Sequence, residues 1–396
     1  MTSILLSYFF IFSIVFWPFG PGSEDKAALK KTSVELPQAA EEVRYMRVML
    51  DNGLQETFVE SPWPFEVYAA DGRLLFTGKN ISRTQIAPAE GGIRFGRQKF
   101  SGESLTIQSQ GDGIKIGSRF YRNGLIVWLN ADSTLTLVNL VELEDYLKGV
   151  LPWEVNPKWT MEVLKAQAVA SLTYALFKAI ENKDSRFDVS KGVMSQVYGG
   201  KNSENSVTSK AVDATRGQIL TFKGELFPAY FHSTCGGATT DAEYQWDIEP
   251  HPALKGVQCE FCRGSKHYRW EVAIPKKEIL AKLKKNRIAL PSLDQIDADE
   301  SDRFGRIRKF KIAGGGVGHK IRANDFRLWV DPAKLKSTLI QEIREEGGSF
   351  VFRGKGWGHG SGMCQYGAKG LSDLGYSYRD ILEYYYPGSK ITQFYS

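Results

Sequence analysis

Val141-Glu142-Leu143-Glu144-Asp145-Tyr146-Leu147-Lys148-Gly149-Val150-Leu151 is the stretch at which the chain changes period. Leu143, Tyr146, Leu147, Val150 and Leu151 recur at helical spacing, which predicts a short amphipathic helix. Glu142, Glu144 and Asp145 fall in its first turn, where the helix dipole favours acids, while Gly149 and Pro152 are expected to weaken and end it. Upstream, from Val43 to about Leu140, apolar and polar residues alternate, as in Tyr45-Met46-Arg47-Val48-Met49-Leu50 and Leu125-Ile126-Val127-Trp128-Leu129. Turn signals at Asp51-Asn52-Gly53, Asp71-Gly72 and Gly111-Asp112-Gly113 punctuate these runs, so strands are expected there. Downstream, Pro157 as a first helical residue with Asn156 as its cap predicts a second helix through Leu164-Lys165-Ala166-Gln167-Ala168-Val169-Ala170 toward Lys178. Glu154 would then sit at a tight junction between two helices, beside Trp153. Further on, Ile274 to Leu290 reads as a Lys-rich amphipathic helix, Arg306 to Ile312 as a strand, and Tyr378 to Tyr386 as a final aromatic helix. The expected fold class is α+β, a strand-rich part followed by helices and mixed strands in one continuous unit.

A chain of 396 residues with 42% hydrophobic content can bury one large core or two ordinary ones. Lys and Arg exceed Asp and Glu by 51 to 45, and the basic residues are scattered. A mild excess of this kind suits an anionic polymer such as cell wall, but without a concentrated basic stripe no nucleic acid partner is expected. Gly91-Gly92 and Gly314-Gly315-Gly316 lack the strand, glycine and helix order of a phosphate loop, which argues against a nucleotide site. Ile4 to Phe19 is apolar apart from Ser7 and Ser13, so residues 1–22 read as a signal peptide or an N-terminal anchor. No A-x-A triplet follows the run and no Lys or Arg precedes it, and both readings stay open. Residues 23–42 form a polar linker, 43–140 a strand-rich subdomain and 141–396 the remaining, catalytic region.

Two sets of residues carry chemistry. A carboxyl such as Glu154, placed against apolar surface, loses hydration of its charged form and can serve as a proton donor, although a Glu after a Trp is also an ordinary surface ion-pair residue. His232-x-x-Cys235 and Cys259-x-x-Cys262 supply four ligands in two pairs with zinc-like spacing. A disulfide from Cys235 to Cys259 or Cys262 is the rival reading, with Cys364 as a further possible partner. Four protein ligands would make the zinc structural rather than catalytic.

Five blocks occur in order: Leu143 to Glu154, Leu164 to Ala170, Gln196-Val197-Tyr198-Gly199-Gly200, Phe231-His232-Ser233-Thr234-Cys235-Gly236-Gly237, and Gly356-Trp357-Gly358-His359-Gly360-Ser361-Gly362-Met363-Cys364-Gln365-Tyr366-Gly367-Ala368. Together they resemble the stage II sporulation protein D (SpoIID) and LytB amidase-enhancer family. The resemblance implies a peptidoglycan lytic transglycosylase in which Glu154 is first general acid and then base, forming 1,6-anhydro-muramic acid ends on peptide-stripped glycan strands. It also implies an exported protein on the periplasmic or cell-wall side of the membrane, with a cell-wall amidase as a possible partner. A non-catalytic amidase enhancer and a protein that merely binds wall glycan are the alternatives. Trp153, Gln167, Tyr198, Trp357, His359, Gln365 and Tyr366 are the candidate sugar contacts, with structural packing the competing role for the glycine-rich segment. No organic cofactor is expected. Where the family has an Ala-Arg-Thr-Tyr run this chain has Ser171-Leu172-Thr173-Tyr174, which puts any ion pair of that Arg in doubt.

Overall fold

The computed structural model describes residues 29–37, 43–191 and 196–395. The apolar N-terminal run and most of the expected linker lie outside the described residues.

Alternating side chains produce the strand-rich part. Met46, Val48 and Leu50 on Tyr45–Leu54 point inward and are buried, as period-two patterning requires. This strand lies between Val189–Ser190 and Leu135–Glu142 in a seven-stranded sheet that continues through Gly124–Leu129, Ser104–Ser109, Phe65–Ala69 and Leu74–Gly78. A six-stranded sheet, centred on Thr57–Ser61 and Ile81–Ala89, contributes Val59, Ile86 and Ile93 to the same core.

Helix α1 (Leu143–Glu154) follows the last of these strands without a loop, and α2 (Met161–Glu181) packs against it. The expected end of α1 before Pro152 is corrected: the helix runs through Pro152 to Glu154. Proline has a helical φ and here forfeits one backbone bond near the terminus, a loss that burial of Leu147, Val150 and Leu151 offsets. The expected start of α2 at Pro157 is corrected too. Asn156 accepts from Lys158 N through its side chain at 3.0 Å and from Trp159 N through its carbonyl at 3.0 Å. Asn-Pro thus builds a turn, and the helix begins four residues later. Among the described residues α2 is the one helix long and apolar enough to cross a membrane; 83% of its apolar window is buried inside the protein, as in a core helix. Leu172, where the family's Arg would stand, is part of that buried surface.

After α3 (Ser206–Ala214), strand Gln218–Phe222 pairs with the C-terminal strand Lys390–Gln393. The region expected to be one continuous unit then proves to hold a second core. Trp270, Ile274, Phe310, Phe326 and Phe352 form a separate cluster between two three-stranded sheets and helices α4 (Lys276–Lys285) and α5 (Ala323–Val330). Helix α4 is shorter than the expected Ile274 to Leu290. Ile274 and Pro275 belong to a strand, and Arg287 takes a left-handed φ of 63° just past the end. The chain re-enters the main core where Met363–Cys364 lies parallel to Phe231–His232, pairing Phe231 with Met363 and His232 with Cys364. Helices α6 (Gln365–Asp373) and α7 (Tyr378–Tyr385) follow. Helix α6 was not among the expected elements; Ser377 and Asp380 close a capping box on α7.

Glu144 on α1 is buried, where its Oε1 accepts from Gly217 N and from the Tyr395 hydroxyl, each at 2.9 Å. Burial raises its pKa against the lowering effect of those bonds. A carboxyl raised in the folded state contributes stability that is full below its unfolded pKa of about 4.3 and is lost as pH rises through the folded value. Glu144→Gln removes this dependence, so its urea midpoint is expected to gain on that of the parent protein as pH rises above about 4.3. A gap that moves the other way would refute the assignment.

Candidate functional site

Glu154 is the last residue of α1, and Val155 turns the chain away in extended conformation. The carboxyl group is held in place, with the residue only 4% exposed. Its Oε1 accepts from Val197 N at 3.0 Å. Two turns earlier on α1, Tyr146 donates to Gln196 Oε1 at 3.0 Å, so the segment bearing Val197 is tied to the same helix twice. Gln365, the first residue of α6, donates from Nε2 to the main-chain oxygen of Glu154 at 2.7 Å and to Gln167 Oε1 at 3.1 Å. Gln167 in turn donates to Ser171 Oγ on α2 at 3.1 Å. This glutamine pair joins the end of α1, the middle of α2 and the start of α6.

Aromatic residues frame the same corner. Trp159, in the α1–α2 turn, meets Tyr366 edge-on with ring centroids 5.0 Å apart. Trp153 is 45% exposed and stands over Gly199, where an added Cβ would come within 2.6 Å of the indole Nε1. Trp153 therefore leaves part of its indole open to solvent, one residue before Glu154 in the chain.

Three of the expected sugar contacts lie inside the protein. Tyr198 is 2% exposed, donates to Asn139 Oδ1 at 2.7 Å and packs between Tyr146 and Tyr121. Its expected contact with sugar is corrected to a core role, because the hydroxyl is consumed by a buried acceptor. Gln167 and Gln365 are also buried, and the structure makes them positioning residues for Glu154.

Trp357 and His359 belong to a second cluster. Trp357 packs against His267 at 4.1 Å and exchanges backbone bonds with Thr234. His359 donates from Nε2 to Phe231 O at 2.8 Å and accepts from Ser361 N at Nδ1, which assigns its tautomer. His232 Nδ1 donates to Ser361 O at 3.1 Å, 5.4 Å from the His359 ring between centroids. Burial, then the nearby Arg306 guanidinium, pushes His232 down to about 3, and burial holds His359 well below its ordinary value. Both imidazoles are neutral at physiological pH. Gly360 takes φ 90°, and a Cβ there would meet the buried Arg306 guanidinium at 2.5 Å. At this position the alternating glycines serve packing.

The sulfurs of Cys235, Cys259, Cys262 and Cys364 all lie within 4.8 Å of one another and are buried; none is bridged. His232 is not among them. Of the expected set, Cys235, Cys259 and Cys262 come together and the fourth member of the cluster is Cys364: the parallel pairing carries Met363–Cys364 alongside the His232 strand, while the His232 ring, donating from Nδ1 to Ser361 O and leaving its buried Nε2 unpartnered, lies outside the group. The fourth cysteine was countable in the sequence. Its place was not, since Cys235 and Cys364 are 129 positions apart. Gln196, which anchors Tyr146, stood in the third of the ordered blocks without a role of its own, and Asn139, which anchors Tyr198, carried no sequence signal.

A family model described as stage II sporulation protein matches residues 131–222, which contain Glu154, Gln167 and Tyr198. A second, described as a domain of unknown function (DUF8618), matches residues 253–362. The chain is 34% identical over 294 residues to an uncharacterized protein of Brachyspira hyodysenteriae, covering 74% of this chain and 77% of that protein. It is 30% identical to stage II sporulation protein D of Bacillus amyloliquefaciens, covering 65% and 76% respectively. To the amidase enhancer of Bacillus subtilis it is 28% identical, covering 63% of this chain and 40% of that protein.

Tyr198→Phe leaves Asn139 Oδ1 buried without its donor, and is expected to destabilise the protein by about 1–3 kcal/mol in urea denaturation. An unchanged urea midpoint would refute the buried Tyr198–Asn139 hydrogen bond.

Proposed function

The chain belongs to the stage II sporulation protein D family, and from that premise we propose that it is a lytic transglycosylase cutting peptidoglycan glycan strands with Glu154. Relatives named as a sporulation protein and an amidase enhancer support a cell-wall role. The observation that carries the finer reading is the setting of Glu154, a carboxyl shielded from bulk water, oriented by the Val197 N–H and braced by Gln365. A proton donor needs that combination of fixed direction and limited hydration.

In this mechanism Glu154 gives its proton to the glycosidic oxygen as the C1–O bond breaks. The resulting carboxylate takes the proton of the C6 hydroxyl on the same muramic acid, and O6 closes onto C1 to form the 1,6-anhydro ring. The proton count balances within one carboxyl group and no water is consumed. Hydrolysis would need a second carboxylate to activate water or attack the sugar. The other acids of α1 are engaged elsewhere, Glu144 by Gly217 and Tyr395, Asp145 by Arg122 and Lys148. The exposed face of Trp153 supplies a stacking surface for a sugar ring beside the acid. Action on wall glycan further entails a location outside the cytoplasm and, for peptide-stripped strands, an amidase acting first.

Digestion of denuded glycan strands is expected to release products ending in 1,6-anhydro-muramic acid, read by mass spectrometry. Glu154→Gln keeps the shape but cannot deliver the proton, and should lower the rate by at least about 10²-fold with the fold intact. Ordinary reducing ends would replace the mechanism with hydrolysis. Bound glycan with no product, together with stimulation of an amidase, would favour the enhancer role.

A further inference from the structure

We propose that Cys235, Cys259, Cys262 and Cys364 form a closed tetrathiolate site for one zinc ion, and that this site fixes the turn from which Gln365 reaches Glu154. The proposal stands on the cysteine geometry and is independent of the glycan reading. Zinc in a tetrahedron of thiolates has Zn–S bonds of about 2.3 Å, which separates the sulfurs by about 3.8 Å. The Cys235 and Cys262 sulfurs are 3.4 Å apart, and all four fall within 4.8 Å of one another. A disulfide would bring two sulfurs to about 2.05 Å and leave the other pair unexplained. An iron–sulfur cluster would interpose several atoms between the thiolates and spread them further.

The surroundings are built for negative charge on sulfur. Cys235 N and Gly367 N donate to Cys364 Sγ at 3.2 and 3.3 Å. The Tyr385 hydroxyl lies 3.1 Å from Cys259 Sγ. An added Cβ at Gly367 would come within 2.7 Å of that sulfur, so glycine lets this backbone approach the cluster. Donors of this kind orient and stabilise thiolates around a metal. Several buried thiolates require a cation among them, and a soft tetrahedral donor set selects zinc. Four protein ligands fill the coordination sphere, so the ion is structural.

Its place in the chain gives it a second consequence. Cys259 and Cys262 precede the second core, which begins at Trp270, and Cys364 follows it, after Phe352. The ion clasps both ends of that unit to the turn after His232. Cys364 is also the N-cap of α6, its Sγ accepting from Gly367 N, and the next residue is Gln365. Release of Cys364 from the metal frees the N-terminus of α6 and with it the brace on Glu154.

The test uses the full chain purified without chelator. Elemental analysis is expected to give about one zinc per chain and no acid-labile sulfide, with four thiols that react only after chelation. Cobalt exchanged into the site should show the visible and charge-transfer bands of a tetrahedral tetrathiolate. His232→Gln should retain the zinc and Cys364→Ser should bind it at least about tenfold more weakly. If Cys364→Ser fails to fold, the cobalt spectrum of His232→Gln decides the ligand set. A folded chain with no zinc and four reactive thiols, a reducible disulfide at Cys235, or loss of zinc in His232→Gln would each overturn the site. Chelation should raise hydrogen exchange at the α6 N-terminus by at least about tenfold; unchanged exchange there would overturn the link to Gln365. These readouts are of metal and structure, so failure of glycan cleavage leaves the site standing, and failure of the site leaves the proposed reaction to its own test.

Discussion

The short parallel pairing of Phe231–His232 with Met363–Cys364 is the constraint on which the functional part of the molecule depends. It spans only two residues on each side, yet it decides where the chain comes back after the second core. Through it Cys364 reaches Cys235, Gln365 reaches Glu154, and the glycine-rich segment lies against His232. Two paired residues cannot hold such a junction by backbone bonds alone, because each contributes little net free energy. The bridge is reinforced by Thr234 with Trp357, Thr240 with Gly360, and the packed imidazoles of His232 and His359.

The site is organised from the inside. Glu154, Gln167, Gln365, Tyr146 and Gln196 are all buried, and each makes a hydrogen bond that leads to the next element. Buried polar groups are costly unless paired, so such a network resists sliding of one helix against another. The result is a carboxyl bonded by Val197 N on a residue whose main-chain oxygen is held by Gln365, two segments distant from it in sequence. Trp153 is the member of the corner that faces outward, and the division of labour between an inner brace and an outer aromatic face follows from that.

The second core has a different standing. Its apolar cluster is separate from the main one, and both of its ends return to the neighbourhood of the four cysteines. An inserted unit of this kind can transmit its own motions to the host unless its base is clamped. Here the base is where the sulfurs converge, beside the buried Arg306, whose Nη2 donates to Cys235 O at 3.0 Å. The match of one family model to residues 131–222 and another to 253–362 follows the same division.

Period-two alternation before residue 141 and helical spacing after it were enough to read the α+β class, because the period of apolar residues is a local property that burial on one face imposes. The blocks around Glu154 and Gly356 to Ala368 likewise marked the family. Helix ends were read less well: Pro152 and Pro157 each have two compatible roles, and packing of Leu147 to Leu151 and the Asn156 turn chose between them. Which aromatic faces solvent, and which cysteine completes the cluster, were decided only in three dimensions. Tyr198 is inside because Asn139 on strand Leu135–Glu142 takes its hydroxyl, and Cys364 stands where His232 was expected because a pairing across 129 positions put it there. Local periodicity is written in neighbouring residues, whereas the meeting of distant side chains depends on register and topology that no short stretch of sequence contains.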